Sequence, residues 1–104
     1  MKLAWNITYV IEPQYVDQWR HWMMKEHLPR LMSTGCFESY RLHKLIGLPD
    51  SEDPTYSVQL VALNRSDLLR YQNQHQEEYD RLLYQHFKDQ VVEFRTTMVV
   101  VEEG

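Results

Sequence analysis

The chain has 104 residues, 43% of them apolar and 25% charged, which is the size and composition of one globular domain, residues 1–104, without a second core. A formal net charge of −4 argues against a nucleic-acid partner, because binding phosphates requires a basic patch. The single Cys36 cannot form an internal disulfide, and no apolar run is long enough to cross a bilayer or to act as a signal peptide. We therefore expect a soluble, cytoplasmic protein with no membrane partner.

The first part of the chain predicts a strand followed by a helix. The stretch "LAWNITYVI" alternates with period two and is rich in β-formers, so a strand is predicted at about 3–11. Pro13 suits the first turn of a helix, where its missing N–H costs nothing. A helical stripe follows at three- and four-residue steps, formed by Val16, Trp19, Met23 and His27, with Trp22 beside it. Pro29 disfavours helical geometry at Leu28, so the helix is expected to end or kink there, with Gly35 closing a short final turn.

The remaining chain predicts three strands and a second helix. The stretches "CFESYRLHKLI" and "TYSVQLVAL" alternate and predict strands, and "GLPDSEDP" between them is typical of a loop. Asn64 and Ser66 supply capping side chains and Asp67 favours a helix N-terminus, which predicts a helix at about 66–88. Its stripe consists of Leu68, Tyr71, His75, Tyr79, Leu82 and His86. The stretch "VVEFRTTMVVVE" predicts the fourth strand.

This order of elements predicts an α+β fold, the ferredoxin-like βαββαβ sandwich. Its four-stranded antiparallel sheet is covered by two helices on one face. Alternation along the strands predicts a helix-facing side formed by Trp5, Ile7, Tyr9, Tyr40, Leu42, Tyr56, Val58, Leu60, Phe94, Met98 and Val100. The opposite side then carries polar residues, including Arg41, Gln59 and Arg95, together with Val and Leu at the strand ends. Two such faces packed across a two-fold axis would satisfy both kinds of residue, so we expect a homodimer.

Four segments, "NITYVI", "WRHWMMKEHLP", "TYSVQ" and "FRTTM", resemble a small bacterial family of unknown function within the dimeric α/β-barrel superfamily. The resemblance covers nearly the whole chain. It implies that two ferredoxin-like subunits pair their sheets into a barrel, often with a ligand cleft between sheet and helices. Members of the superfamily include cofactor-free monooxygenases, isomerases, polyketide cyclases, haem proteins and stress-responsive proteins, so the fold leaves the function open.

One motif connects the chain to the ethyl-tert-butyl-ether-degradation-like relatives. Some of these proteins end the first helix in an aromatic residue, three further residues and then His-x-Pro, and the stretch His27–Pro29 matches the His-x-Pro. The residue four positions before His27 is Met23, however, and the nearest tryptophan is displaced to Trp22. This departure weighs against a Trp–His pair of the kind implied by the resemblance.

The candidate site residues lie on the first helix and on the sheet. His27 is the candidate catalytic residue, as an acid/base or hydrogen-bonding group at the cleft; the alternative is a helix-end histidine that interacts with the helix dipole or with a free carbonyl. Candidate ligand-binding residues are Trp19, Met23, Tyr9, Tyr40 and Tyr56. Trp19, Trp22 and Met23 are more often core residues than ligand contacts, and each tyrosine has the same alternative.

Other polar residues suggest weaker sites. Arg41, His43, Gln59 and Arg95 form a polar set on the far side of the sheet. Two arginines there would clamp a carboxylate, although intersubunit pairing with Glu93 is the favoured interpretation. His75 and His86 are interpreted as packing residues, and Cys36 as inert. No metal-ligand spacing and no phosphate-binding loop is present, so we predict neither a metal nor a cofactor.

Two main hypotheses for the function follow. The first is a protein that binds a small apolar or aromatic molecule in a cleft between sheet and helices. The second is a cofactor-independent enzyme, of the isomerase or monooxygenase type, that uses His27 as acid/base. The enzyme requires a pocket in which His27 and a tyrosine hydroxyl converge, whereas the binding protein requires the pocket alone. A third possibility, an interaction module, requires no pocket at all.

Overall fold

Four antiparallel strands with helices on one side form the structure, a computed structural model that describes all residues from Met1 to Gly104. The strands are β1 (Leu3–Ile11), β2 (Ser39–Lys44), β3 (Thr55–Ala62) and β4 (Val91–Val99). The helices are α1 (Val16–Trp22), α2 (Leu28–Ser33), α3 (Arg65–Gln74) and α4 (Gln76–Phe87), with a π-helical turn, Met23–His27, joining α1 to α2. The strand order β2-β3-β1-β4 is that of the ferredoxin-like sandwich and confirms the predicted fold.

One hydrophobic core fills the space between the sheet and the helices. Alternate residues of β1 and β3 are buried in it, as their period-two patterns predict. The first helix packs over β1 and β3, because the ring of Trp19 lies 5.0 Å from that of Tyr9 and 5.1 Å from that of Tyr56. Tyr71 of α3 packs on Trp5 of β1, with ring centroids 5.3 Å apart. No helix combines the length and the apolar character needed to span a membrane.

Of the two outcomes predicted at Leu28, an end or a kink of the first helix, the end is wrong, because the helix continues beyond this residue. It passes through Pro29 to Ser33 by way of the π-helical turn, in which the Leu28 N–H donates to the carbonyl of Met23, five residues back. Pro29 has no N–H, so a normal helical bond is lost at this point in any case, and the wider turn accommodates the loss. Gly35 closes the final turn at φ +72°, as predicted.

The predicted second helix is two helices, which meet at His75. Asn64 caps α3 as expected, since its Oδ1 accepts a hydrogen bond from the Asp67 N–H at 2.9 Å. His75 leaves helical geometry (φ −128°, ψ −31°), and the one non-helical residue changes the phase of α4. The buried stripe of α4 therefore continues from Tyr79 to Leu83 and Phe87. The predicted Leu82 is only partly buried and His86 is exposed.

The prediction of which face each β4 residue occupies is wrong. β4 pairs with β1 so that Arg95 is the partner of Ile7 and Glu93 the partner of Tyr9, and cross-strand partners share a face of the sheet. Glu93 and Arg95 therefore lie on the helix-facing side. The residues on the open side of β4 are Val92, Phe94, Thr96 and Met98. Large apolar residues were expected to face the helices, but at this edge an ion-paired arginine takes that place.

The open face of the sheet is polar at its centre and apolar along β4. Asn6 accepts a hydrogen bond from the Ser57 hydroxyl at 2.7 Å and donates one to Thr8 Oγ1 at 3.3 Å, so these polar side chains satisfy one another. Phe94, by contrast, is 60% exposed, and Val92 and Met98 beside it are also exposed. No helix of the chain covers this face.

Candidate functional site

A cavity of about 340 Å³ lies between the first helix and the edge of the sheet. We call it the helix–strand cleft. It is lined by Arg20, Met24 and Leu28 from the helix and by Tyr40, Leu42, His43, Lys44 and Tyr56 from β2 and β3. The cleft exists because β2 is a short edge strand whose side chains remain mostly exposed. Its volume falls in the range of pockets that bind small molecules.

Two of the five predicted ligand-binding residues line this cleft. Tyr40 and Tyr56 do so, as expected from their helix-facing positions. Trp19, Met23 and Tyr9 do not border the cleft and lie fully buried in the core. Burial raises the pKa of the Tyr9 hydroxyl well above its ordinary value, as befits a phenol removed from water. These three residues support the cleft from within the core and do not border it.

The two charged groups that line the cleft, Arg20 and Lys44, are both cations. Its lining contains Arg20, Lys44 and His43 and no acidic residue. The ion pairs of the chain use Lys2, Arg70 and Arg95, so neither Arg20 nor Lys44 is neutralised by a carboxylate. The Arg20 guanidinium carbon instead lies 6.0 Å from the centroid of the Tyr56 ring, at the limit of a cation–π contact.

His27 lies outside the cleft, which corrects the prediction that it contributes to the pocket. Its side chain is only 4% exposed and borders none of the four surface cavities. The imidazole stacks on the indole of Trp22, with ring centroids 4.6 Å apart and planes inclined by 20°. Tyr79 meets the imidazole edge-on, at 6.4 Å between centroids. His27 is therefore part of an aromatic cluster between the first helix and α4.

The π-helical turn forms the Trp22–His27 pair. Trp22 and His27 are five residues apart, a spacing that would separate them on an ordinary α-helix. In a π-helix the hydrogen bonds span five residues, so residues with this spacing lie on the same side. On a regular α-helix the one-residue displacement of the tryptophan argues against such a pair. The structure has the pair nevertheless, and the displacement together with Pro29 is the sequence signal that indicates a π-helical turn.

The surroundings of His27 keep its imidazole neutral. Burial, together with the positive charges of Arg30, Arg95 and His86, lowers the pKa of His27 to about 4. Its Nδ1 is buried without a hydrogen-bond partner, and so is the Nε1 of the stacked Trp22. The alternative interpretation, a helix-end cation or a histidine bonded to a free carbonyl, is therefore also wrong.

The arginine clamp, the less favoured interpretation of the polar set, is not formed. Arg41 is paired with Gln59 across the sheet on its open face, whereas Arg95 lies on the helix-facing side. Arg95 donates a hydrogen bond of 2.6 Å to Asp80 of α4 and a second, short one to Glu93. Glu93 is thus paired within its own chain, which corrects the expected intersubunit pairing. No group of three or more histidine, cysteine, aspartate or glutamate side chains is arranged to hold a metal ion.

The fold and the cleft define a ferredoxin-like protein with a cavity between the helices and the sheet. The chain belongs to the family described as domain of unknown function DUF4286, whose sequence profile matches residues 2–101. This confirms the resemblance to a family of unknown function. No curated protein matches the sequence.

Solved structures with the same fold come from several bacteria and from marine samples. A dimeric ferredoxin-like protein from an uncultured marine organism matches with a TM-score of 0.74 at 12% identity, over 100% of this chain and 98% of that one. An EthD-like protein of Ralstonia eutropha gives 0.70 at 12% identity, over 99% and 95% of the two chains. SnoaB of Streptomyces nogalater, a cofactor-independent oxygenase, gives 0.67 at 8% identity, over 98% and 95%. At these identities the likeness establishes the fold only.

Proposed function

We propose that the protein binds a small apolar or aromatic molecule in the helix–strand cleft. The observation that carries the proposal is a cavity of about 340 Å³ that combines apolar walls, Met24, Leu28 and Leu42, with two tyrosines. Pockets for small molecules have this character, mostly apolar with a few polar groups that fix the orientation of the ligand. An interaction module without a pocket is disfavoured by the same cavity.

The geometry favours binding over catalysis by His27. The enzyme hypothesis requires the imidazole and a tyrosine hydroxyl to converge on one cavity, and His27 borders none. A neutral imidazole is able to accept a proton, but a base must lie within hydrogen-bonding reach of the atom it deprotonates. SnoaB is described as a cofactor-independent oxygenase, but its likeness to this chain concerns the fold. It gives no support for a reaction at His27.

Two matched substitutions test the proposal. Met24 lines the helix–strand cleft and is 52% exposed, while Leu69 lines a different cavity, between α3 and β4, and is 48% exposed. Replacing Met24 by Trp fills the cleft, and Leu69→Trp places the same ring in the other cavity. Binding of 2-naphthylmethanol, measured by saturation-transfer NMR, is expected to weaken by about tenfold in Met24→Trp and to remain unchanged in Leu69→Trp. Weakening in Leu69→Trp alone, or no binding to the unmodified protein, would contradict the proposal.

We also propose that the open face of the sheet packs against a second copy of the chain. Phe94, Val92 and Met98 form an exposed apolar strip on that face, and no helix covers it. Monomeric proteins seldom leave such a strip on a flat sheet. Two of the similar solved structures are described as dimeric ferredoxin-like proteins, which supports the same assembly here. The result is the homodimeric α/β barrel that the sequence resemblance implies.

A further inference from the structure

We infer that the ligand of the helix–strand cleft is an organic acid, with an aromatic or apolar body and one anionic head group. This inference rests on the proposed binding function and specifies its ligand class. The charge around the cleft is opposite in sign to that of the whole chain. The protein carries a formal net charge of −4, yet the cleft is lined by basic residues and no acidic ones. A cavity lined by one sign of charge raises the local concentration of ligands of the other sign.

The two cations of the cleft flank the same tyrosine. Arg20 comes from the helix, with its guanidinium carbon 6.0 Å from the centre of the Tyr56 ring. Lys44 comes from the sheet, where it is the cross-strand partner of Tyr56 and shares the helix-facing side with it. Both cations thus lie near Tyr56, and the acidic residues that line the neighbouring loop cavity, Asp50, Glu52 and Asp53, do not border the cleft. An anionic group placed there would meet a cation from each wall.

Both cations are available to a ligand. Neither Arg20 nor Lys44 has a carboxylate partner among the ion pairs of the chain. Arg95, by comparison, is engaged by both Asp80 and Glu93. An exposed cation gains little from binding an anion in water, but a ligand that fills the cleft excludes water and strengthens the attraction.

The rest of the cleft suits an apolar body. Met24, Leu28 and Leu42 form its walls, and the buried Trp19 supports Tyr56 from beneath at 5.1 Å between ring centroids. A fused bicyclic ring is within the size that a cavity of about 340 Å³ accepts. The geometry therefore assigns the head group to the Tyr56 end and the ring system to the leucine walls.

A pair of probes with the same shape tests the inference. Naphthalene-2-carboxylate and naphthalene-2-carboxamide differ in charge at neutral pH but hardly in size. We expect the carboxylate to bind about tenfold more tightly in calorimetric titrations at low ionic strength, and the preference to decrease as salt is added. In the double variant Arg20→Gln/Lys44→Gln the preference should fall to about twofold or less. Arg65→Gln/Arg81→Gln removes two exposed cations outside the cleft, so it is the matched control and should leave the preference intact.

The outcomes separate this inference from the proposal on which it rests. Equal binding of both probes, abolished by Met24→Trp, would retain the binding function and overturn the organic-acid class. A preference for the carboxylate that survives in the double variant would also overturn the inference, because groups other than Arg20 and Lys44 would then cause it. Failure of both probes to bind the unmodified protein would count against the binding function itself.

Discussion

The indole of Trp22 and the imidazole of His27 lie stacked at 4.6 Å between ring centroids although they are five residues apart in the chain. The π-helical turn produces this contact, and it positions the one buried charged or polar residue of the protein inside an aromatic cluster. Two ring nitrogens, Nδ1 of His27 and Nε1 of Trp22, are left buried without partners. Unpaired buried polar groups reduce stability, so the pair stabilises the fold through its ring packing alone.

The first prediction concerns the acid sensitivity of the fold. The pKa of His27 is lowered from 6.5 to about 4 in the folded protein. Between these two pH values His27 is protonated in the unfolded chain and neutral in the folded chain. The free energy of unfolding should therefore fall as the pH decreases from 6.5 to about 4, by as much as about 3 kcal/mol from this residue. His27→Phe keeps an aromatic ring on Trp22 and removes the proton site. Denaturant unfolding at a series of pH values should show a flatter dependence for this variant.

Comparison with a second variant isolates the contribution of His27. His21 is exposed on the same helix, and His21→Gln should leave the pH dependence of the free energy of unfolding unchanged. Glu93 acts in the opposite direction, because burial raises its pKa and protonation then favours the folded state. The contribution of His27 is therefore the difference in the pH dependence of the free energy of unfolding between His27→Phe and the unmodified protein. Equal pH dependence in these two proteins would contradict the account of His27.

The second prediction concerns the ion-paired cluster on the helix-facing side of β4. Arg95 bonds to Asp80 and Glu93, and its guanidinium carbon lies 5.5 Å from the centre of the Trp5 ring. Arg95→Met would leave two half-buried carboxylates without a counter-ion, at a cost of about 2 kcal/mol in the free energy of unfolding at neutral pH. Burial raises the pKa of Glu93 and the charge of Arg95 opposes that effect, so without Arg95 the pKa of Glu93 rises further.

The pH dependence of this cost distinguishes the charge of Arg95 from its packing. A carboxyl with a raised pKa in the folded state favours folding when protonated, so the loss caused by Arg95→Met should shrink as the pH falls through mildly acidic values. A loss that is independent of pH would mean that packing on Trp5 dominates. Arg81→Met, at an exposed position without an ion pair, should change the free energy of unfolding by less than about 0.5 kcal/mol.

The third prediction concerns assembly through the open face. Phe94→Glu introduces a charge into the middle of the exposed apolar strip, and by symmetry into both copies of a two-fold interface. We expect the unmodified protein to sediment as a dimer at micromolar concentration and Phe94→Glu as a monomer. Leu69→Glu adds the same charge to a helix on the other side of the sheet and should remain dimeric. A monomeric unmodified protein would contradict the proposed barrel.

Period-two alternation sufficed to predict β1 and β3. Their buried residues are all apolar, and each is a central strand with a neighbouring strand on either side. The alternation also predicted β4 as a strand but assigned its faces wrongly, because the side that faces the helices carries Glu93 and Arg95 and the exposed side carries Phe94. Hydrophobicity alone assigns such a strand to the wrong face. The ion pair with Asp80, which makes the actual arrangement stable, joins residues fifteen positions apart and leaves no local pattern.

A cleft between helix and sheet was predicted, and only some of the residues proposed for it line the cavity that the structure has there. Tyr40 and Tyr56 line the cleft because they share the helix-facing parity of their strands, which the sequence shows directly. His27 was placed with them on the assumption of regular α-helical spacing. The π-helical turn changes this spacing, and Trp19 and Met23 are fully buried in the core. A different side of the helix from the predicted one therefore borders the cleft. Arg20, Met24 and Lys44 were missed because polar or exposed residues at a cavity rim have no periodic signal.

The location of a bound ligand tests the central claim most directly. Leu28 and Leu42 face the helix–strand cleft, whereas Leu69 faces the cavity beside α3. In a methyl-labelled sample titrated with naphthalene-2-carboxylate, we expect the resonances of Leu28 and Leu42 to shift in a saturable manner and those of Leu69 to stay in place. Saturable shifts centred on Leu69, or no saturable shift at any of the three residues, would contradict the assignment of the helix–strand cleft as the binding site.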